Sequence, residues 1–363
     1  MNIDDLLNDP IQYVKKTAQS CGRNVVAFFP VGVPIELIHA ANLQQFPLII
    51  MSEDFSAADA YMHTFACSLS RSVLQKFLSG DLDFVKAFII PDICDSLWSL
   101  YNIVKLTDPN RKLYLFHYPP KKDDKSLNYF KGEIIKLWEF LKELSLSQSS
   151  EEILKDSITK FNQQRKLLRK LNNMRKSNSP PFSGTDFFKL MLAAFFMPVE
   201  HHIDMLNSIL GNIEKWGTKK EGVRLLVSGH MVENVALIEL IEESGGLIVA
   251  DDMDIGSRHF SQDLAVRKDI FAGIAEHYLM TPSPYRHSVE DRAEYILKLA
   301  KEFDASGVIF LIRKFCDPYL FDYPILRRML EEEGIPSLLL EYEFPFSAAI
   351  LRNRVEAFIE MLR

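Results

Sequence analysis

Cysteines are the residues of this chain best suited to chemistry, and two of the four stand in the same local context. Cys94 and Cys316 each follow an apolar run rich in β-branched residues, and each is followed directly by an aspartate. Parallel sheets place their ligands at the carboxyl ends of their strands, so these two cysteines are expected to face each other across a cleft between two α/β lobes. Thiolates held in this way favour a metal cluster.

A third cysteine, Cys67, follows a polar stretch and opens a predicted helix, whose N-terminal amides and dipole would stabilise a thiolate. Ligands at 67, 94 and 316 lack the close cysteine pairs of a zinc ribbon but fit a [4Fe-4S] cluster with a fourth iron open or otherwise ligated. If iron is bound, the three sulfur atoms should lie about 6–7 Å apart. A single cysteine is more often a small buried side chain, and this is the interpretation for Cys21.

Other candidate residues have simpler interpretations. His201, His202 and His230 lack cysteine or carboxylate partners at regular spacing, which favours a surface or loop position over metal binding. The basic run 165–170 is interpreted as a solvated helix face, with CoA phosphates as the alternative ligand. Gly245 and Gly246 are explained by a helix stop better than by nucleotide binding. No Gly-x-x-x-x-Gly-Lys-Ser/Thr sequence occurs, so ATP binding by a P-loop is not expected.

Composition narrows the class of protein. The chain has 363 residues, 47% of them hydrophobic, which is enough for two domains with sizeable cores. A net charge of −7 disfavours nucleic-acid binding, which needs clustered lysine and arginine. Residues 1–10 do not resemble a signal peptide, and no apolar run approaches the ~20 residues of a membrane span. Together with the small number of cysteines, these features predict a cytoplasmic protein with no membrane association.

Apolar runs that alternate with helical patterns predict an α/β fold with doubly wound parallel sheets. Each lobe should contain four strands, with Cys-Asp after the third. The predicted strands are 24–29, 48–51, the run before Cys94, and 113–116 in the first lobe, then 223–228, 247–251, 307–312 and 337–341 in the second. Long amphipathic helices are predicted between the lobes. The expected domains are an N-terminal α/β lobe (1–122), a helical linker region (123–221) and a C-terminal α/β lobe (222–363).

Several segments together resemble the 2-hydroxyacyl-CoA dehydratase / benzoyl-CoA reductase family. They are FPVGVPIELIHAA (29–41), CSLSRS (67–72), ICD (93–95), SGHMVEN (228–234), IEESGGLIVADD (241–252), GSR (256–258), KFCDP (314–318) and RVEAFIEML (354–362). The resemblance runs through both lobes and implies two flavodoxin-like lobes with a helical region. It also implies that Cys67, Cys94 and Cys316 bind one [4Fe-4S] cluster.

The resemblance implies a function as well. The chain is similar to the smaller, electron-relaying D-component (beta-type) subunit of a 2-hydroxyacyl-CoA dehydratase, a lyase. A separate iron–sulfur activator ATPase would donate a low-potential electron, which forms a ketyl radical on an acyl-CoA thioester. The implied partners are this activator, a second family subunit in a heterodimer or homodimer, and the acyl-CoA substrate. The alternatives are a benzoyl-CoA reductase-like subunit and a non-catalytic iron–sulfur scaffold or sensor.

Overall fold

The computed structural model of the protein describes residues 3–216, 221–230, 232, 234–285 and 289–363. The first part of the chain forms α1 (Ile3–Asn8), α2 (Pro10–Cys21), β1 (Val25–Phe28), α3 (Ile35–Ala40), β2 (Gln44–Pro47), α4 (Ser68–Leu78), β3 (Val85–Asp92), α5 (Asp95–Thr107) and β4 (Lys112–His117). Four helices follow, namely α6 (Asp124–Lys142), α7 (Glu151–Met174), α8 (Gly184–Phe196) and α9 (Val199–Gly211). The last part forms β5 (Val223–Gly229), α10 (Val235–Glu243), β6 (Gly246–Met253), α11 (Ser257–Phe260), α12 (Ile270–Met280), α13 (Val289–Glu302), β7 (Gly307–Arg313), α14 (Asp317–Glu332), β8 (Ser337–Tyr342) and α15 (Ala348–Leu362).

The eight strands form two parallel sheets of four strands each. Their orders are β2-β1-β3-β4 and β6-β5-β7-β8, so the same topology occurs twice. Strands β1, β6 and β7 are buried along their whole length, as expected for parallel strands covered on both faces by helices. The predicted α/β class is confirmed, and in each sheet the third strand leads into the Cys-Asp step.

One predicted strand is misplaced. The second strand was expected at 48–51, but the structure places it at Gln44–Pro47. The sequence pattern does not indicate this strand because Gln44 and Gln45 are polar, although both side chains are buried in the structure. Their amides donate to main-chain carbonyls at the end of α8, from Gln44 to Phe196 at 3.1 Å and from Gln45 to Phe195 at 2.7 Å. Buried amides that are hydrogen-bonded in this way are tolerated in a core.

The helical region is confirmed, and it packs between the two sheets. Helix α7 contacts α3 of the first lobe and α11 of the second. Phe161 and Leu168 of this helix are fully buried, whereas Lys166 and Lys170 are exposed. The interpretation of 165–170 as a solvated face is therefore right for the lysines and wrong for Arg165, which is fully buried.

The loop after β1 turns sharply at Gly32, whose φ is +67°. A Cβ atom at this position would overlap the ring of Tyr118, so the loop needs glycine for conformation and for space.

We expect Gly32→Ala to lower the free energy of unfolding by about 2–4 kcal/mol, from left-handed backbone strain plus overpacking. The matched control is Gly22→Ala, because Gly22 has φ +61° with no atom near the added Cβ and should cost only about 1–2 kcal/mol. Equal losses in urea denaturation would contradict this account.

Candidate functional site

The structure brings three of the four cysteines to one cavity. Cys67, Cys94 and Cys316 line it together, and it encloses about 430 Å³ of atom-free space that is partly open to solvent. We call these residues the cysteine triad and this space the triad cavity. Cys21 lies outside the cavity at the end of α2 and is exposed, so the interpretation of Cys21 as a buried side chain is wrong.

Each cysteine of the triad directly precedes a helix. Cys67 is the N-cap of α4, Cys94 of α5 and Cys316 of α14. Phe315 has φ +62°, a left-handed conformation that costs a bulky residue about 1–2 kcal/mol and turns the chain from β7 into α14. The triad therefore lies where three helix N-termini, with their unpaired amides and positive dipole ends, meet.

Burial controls the ionisation of two thiols of the triad, Cys94 and Cys316. It raises the pKa of Cys94 to about 12, and the nearby Cys67 sulfur adds to this effect. Burial and Cys67 also raise the pKa of Cys316 well above its usual value, while the Arg313 guanidinium opposes the shift. Without a cation, these two thiols are therefore protonated at neutral pH, and a cationic metal group would be needed to stabilise the thiolates.

The cysteine triad can be compared with the ligands that a single metal ion or a metal cluster requires. Among the described residues, no three His, Cys, Asp or Glu side chains are placed to hold one metal ion. A [4Fe-4S] cluster differs from a single ion because each thiolate binds a different iron, so its ligands stand further apart. Three thiols around one cavity, two of them buried and Cys94 half-buried, fit such a cluster in number, type and surroundings.

The cavity wall contains residues that the sequence interpretation missed. His230 and Tyr285 line the triad cavity, and the His230 ring lies 5.3 Å from that of Tyr319. His230 is buried, as is Arg313, whose Nη1 lies 3.1 Å from His230 Nδ1. His230 lies in the loop after β5, as expected, but its side chain is buried, so the expected surface position is wrong. The contact joins residues 83 apart in sequence, so no local pattern indicates it.

His201 and His202 differ although they are adjacent. His201 is exposed, as expected, whereas His202 is fully buried between α7 and α8. His202 Nδ1 lies 2.9 Å from Gln164 Nε2, and its Nε2 lies 3.1 Å from the Leu190 carbonyl oxygen. The surface prediction is wrong for His202, which has a structural contact on each ring nitrogen.

A second cavity lies between the lobes. Its free space, part of which is open to solvent, is about 540 Å³, and it is lined by the loop after β1, by Arg165 of α7 and by His277 and Tyr278 of α12. Arg165 forms an ion pair with Glu36, and both side chains are fully buried. Burial alone would raise the pKa of Glu36, but Arg165 lowers it below its usual value, so the carboxylate stays charged.

The two aspartates at the end of β6, Asp251 and Asp252, form buried ion pairs. Asp251 pairs with Arg175 at 3.0 Å, and Asp252 pairs with Arg258 at 2.7 Å and Arg292 at 3.4 Å. All five side chains are buried. Gly245 has φ +98° and follows Ser244, the C-cap of α10, which confirms the helix-stop interpretation of the two glycines.

Buried neutral histidines should make the protein acid-sensitive. Burial lowers the pKa of His202 to about 3 and that of His277 to about 4. Between pH about 6.5 and 4, these histidines take up protons when the chain is unfolded but not when it is folded, so acid favours unfolding. We expect each to reduce the free energy of unfolding by about 1.4 kcal/mol per pH unit in this window.

The measurement is urea denaturation at pH 7 and pH 5. His202→Gln should reduce the pH dependence, while His201→Gln, which changes the exposed neighbour, should leave it unchanged. An identical pH dependence in the wild type and in His202→Gln would contradict the prediction.

The fold and the site together define a two-lobed α/β protein whose three helix-start cysteines share one cavity. Comparison with known sequences gives the family. Residues 30–362 match the family described as "2-hydroxyglutaryl-CoA dehydratase, D-component". The chain belongs to this family and is a subunit of the 2-hydroxyacyl-CoA dehydratase type. No helix in the described ranges has the length and apolar character needed to cross a membrane.

Individual relatives cover most of the chain. A benzoyl-CoA reductase subunit of Thauera aromatica is 32% identical, with 88% of this chain and 86% of the relative aligned. The (R)-phenyllactyl-CoA dehydratase beta subunit of Clostridium sporogenes is 26% identical over 99% of this chain and 97% of its own. The beta subunit of (R)-2-hydroxyglutaryl-CoA dehydratase from Acidaminococcus fermentans is 22% identical, over 94% and 93%.

Proposed function

We propose that this chain is the iron–sulfur subunit of a 2-hydroxyacyl-CoA dehydratase and that its cysteine triad binds one [4Fe-4S] cluster. The observation that carries the proposal is the meeting of Cys67, Cys94 and Cys316 at one cavity, from helix starts in both lobes. When bound, the cluster would supply one-electron transfer at low potential toward an acyl-CoA thioester.

The chain's own residues contribute binding and shielding. The three thiolates would hold the iron, and amides at the helix starts would stabilise their charge, as the backbone N–H groups of Ser96 and Leu97 do for Cys94. Phe315 and Tyr285 form part of the cavity wall and would place apolar ring surface beside a bound cluster. Apolar surroundings are one of the factors that set the potential of an iron–sulfur cluster.

A partner subunit is part of the proposal. The dehydratase relatives are named as beta subunits, so each works beside at least one other chain. We infer that this chain pairs with a second family member that binds the acyl-CoA. An ATP-dependent iron–sulfur activator would then dock near the triad, with the loops around Arg71, Asp95 and Asp317 as the candidate docking face. Arg71 itself is buried in ion pairs with Asp59 and Glu343, so it would not contact the activator directly. Electron transfer falls steeply with distance, which favours a docking face close to the triad.

Anaerobic reconstitution tests this assignment. We expect no dehydratase turnover from the purified, iron-loaded chain with activator and ATP alone, and turnover once the cognate second subunit is added. Loss of the (R)-2-hydroxyacyl-CoA substrate is followed by liquid chromatography, with ATP omitted as the control. Full turnover by this chain and activator without a second subunit would show that it is a self-sufficient oligomer.

A second candidate function is that of a benzoyl-CoA reductase-type subunit, which the 32% identity to the Thauera aromatica reductase chain favours. The same reconstitution separates the two, because a reductase consumes benzoyl-CoA by ring reduction and leaves 2-hydroxyacyl-CoA untouched. A chain that loads iron but supports neither reaction with any family partner would instead be a non-catalytic iron–sulfur scaffold or sensor.

A further inference from the structure

His230 occupies a special position beside the triad. It directly follows β5, it is 5% exposed, and its ring forms part of the triad cavity wall. Its ring lies 5.3 Å from that of Tyr319 and 6.3 Å from that of Tyr285, measured between centroids. An imidazole in the wall of a cavity that binds iron can act in two ways, as an iron ligand or as a hydrogen-bond donor.

The contact with Arg313 decides between these roles. Arg313 Nη1 lies 3.1 Å from His230 Nδ1, and a guanidinium has only donors, so Nδ1 must accept the hydrogen bond. The proton of the neutral ring therefore sits on Nε2. The backbone of Arg313 is fixed at the end of β7, where its carbonyl accepts a hydrogen bond from the Cys316 amide at 3.1 Å, and its side chain is fully buried.

Ligation of iron through Nε2 would need the lone pair on that nitrogen and the proton on Nδ1. Nδ1–H would then face the N–H of Arg313, and two donors would oppose each other in a buried site. We propose that His230, held as the Nε2–H tautomer by Arg313, is a hydrogen-bond donor toward a cluster bound by the triad and is not an iron ligand. This inference rests on the proposed [4Fe-4S] site.

The role assigned to His230 is to stabilise the added negative charge of a reduced cluster. Reduction adds negative charge to a cluster, and N–H groups that donate to its sulfur atoms stabilise the reduced form and raise its potential. Loss of the donor should therefore make the cluster harder to reduce without removing iron. Loss of a ligand would instead remove iron or alter the site at which it is held.

The test uses the full chain, loaded anaerobically with iron and sulfide. His230→Leu removes both ring nitrogens, while His230→Gln keeps an acceptor for Arg313 and an N–H donor. His202→Gln is the matched control, since it changes another buried histidine away from the cavity. We would measure the iron and sulfide content and the reduction potential, the latter by redox titration followed by electron paramagnetic resonance. Pulsed electron paramagnetic resonance on protein with 15N-labelled histidine would then report the coupling between the cluster and histidine nitrogen.

We expect His230→Leu to keep the wild-type iron content, to shift the reduction potential to more negative values, and to lose a weak coupling to histidine nitrogen. His230→Gln should restore most of the potential, and His202→Gln should match the wild type. A strong nitrogen coupling typical of direct ligation, loss of iron in both His230 variants, or an unchanged potential in His230→Leu would overturn the inference. Failure of the wild-type chain to bind a cluster would contradict the proposed function instead.

Discussion

Cys94→Ser and Cys316→Ser are each expected to remove the brown iron–sulfur chromophore and all detectable dehydratase activity in the reconstituted system. The reason is that serine is a poor substitute for a thiolate ligand, and each cysteine of the triad would bind a different iron. The fold should persist, because serine is close to cysteine in size and both residues lie at helix starts rather than in the centre of a sheet. Absorption near 400 nm, iron content and turnover are the measurements.

The matched control for the triad variants is Cys21→Ser. Cys21 is the fourth thiol of the chain, is exposed, and lies at the end of α2 outside the triad cavity. This variant should keep its chromophore, its iron and its turnover. Full activity in a Cys94→Ser or Cys316→Ser variant that lacks a cluster would refute the electron-transfer role, even if the chain still pairs with its partner.

Asp252→Asn should have the largest effect on stability. Asp252 is fully buried and pairs with Arg258 and Arg292, while Ser228 donates to it at 2.8 Å. Burial alone would raise the pKa of Asp252, but the two guanidinium groups lower it below its usual range, so the carboxylate stays charged. Asparagine removes that charge and both of its buried ion pairs, so that, among the described residues, Arg258 keeps only Asp254 and Arg292 only Asp322 as a carboxylate partner. The loss is expected to cost about 3–5 kcal/mol of unfolding free energy.

Glu331→Gln provides the matched control, since it also removes one carboxylate from an arginine. Glu331 pairs with Arg327 at 2.7 Å on the exposed side of α14, where an ion pair contributes only about 0–1 kcal/mol. Both variants are compared with the wild type by urea denaturation at pH 7. Similar losses in the two variants would show that the Asp252 network is not the stabilising element described here.

Much of the fold could be predicted from local sequence. Long apolar strands such as 307–312 have a strong pattern because parallel strands are buried on both faces, and the helical period of the middle region is equally clear. The second strand was misplaced for a physical reason. Gln44 and Gln45 are buried only because carbonyls at the end of α8 accept their amide protons, and a helix about 150 residues away leaves no trace in the local pattern.

Part of the candidate site could likewise be predicted from local sequence, and part could not. The sequence by itself determined which side chains stand at the ends of the third strands, because Cys-Asp follows an apolar run at both 94 and 316. Only the tertiary structure decided that Cys67 and both of these cysteines share one cavity, and that Arg313 reaches His230 and Arg165 reaches Glu36. Such contacts join side chains from distant segments, and they depend on how the lobes and the central helices pack. Packing of that kind is a property of the whole chain, whereas periodicity reports only on neighbours along it.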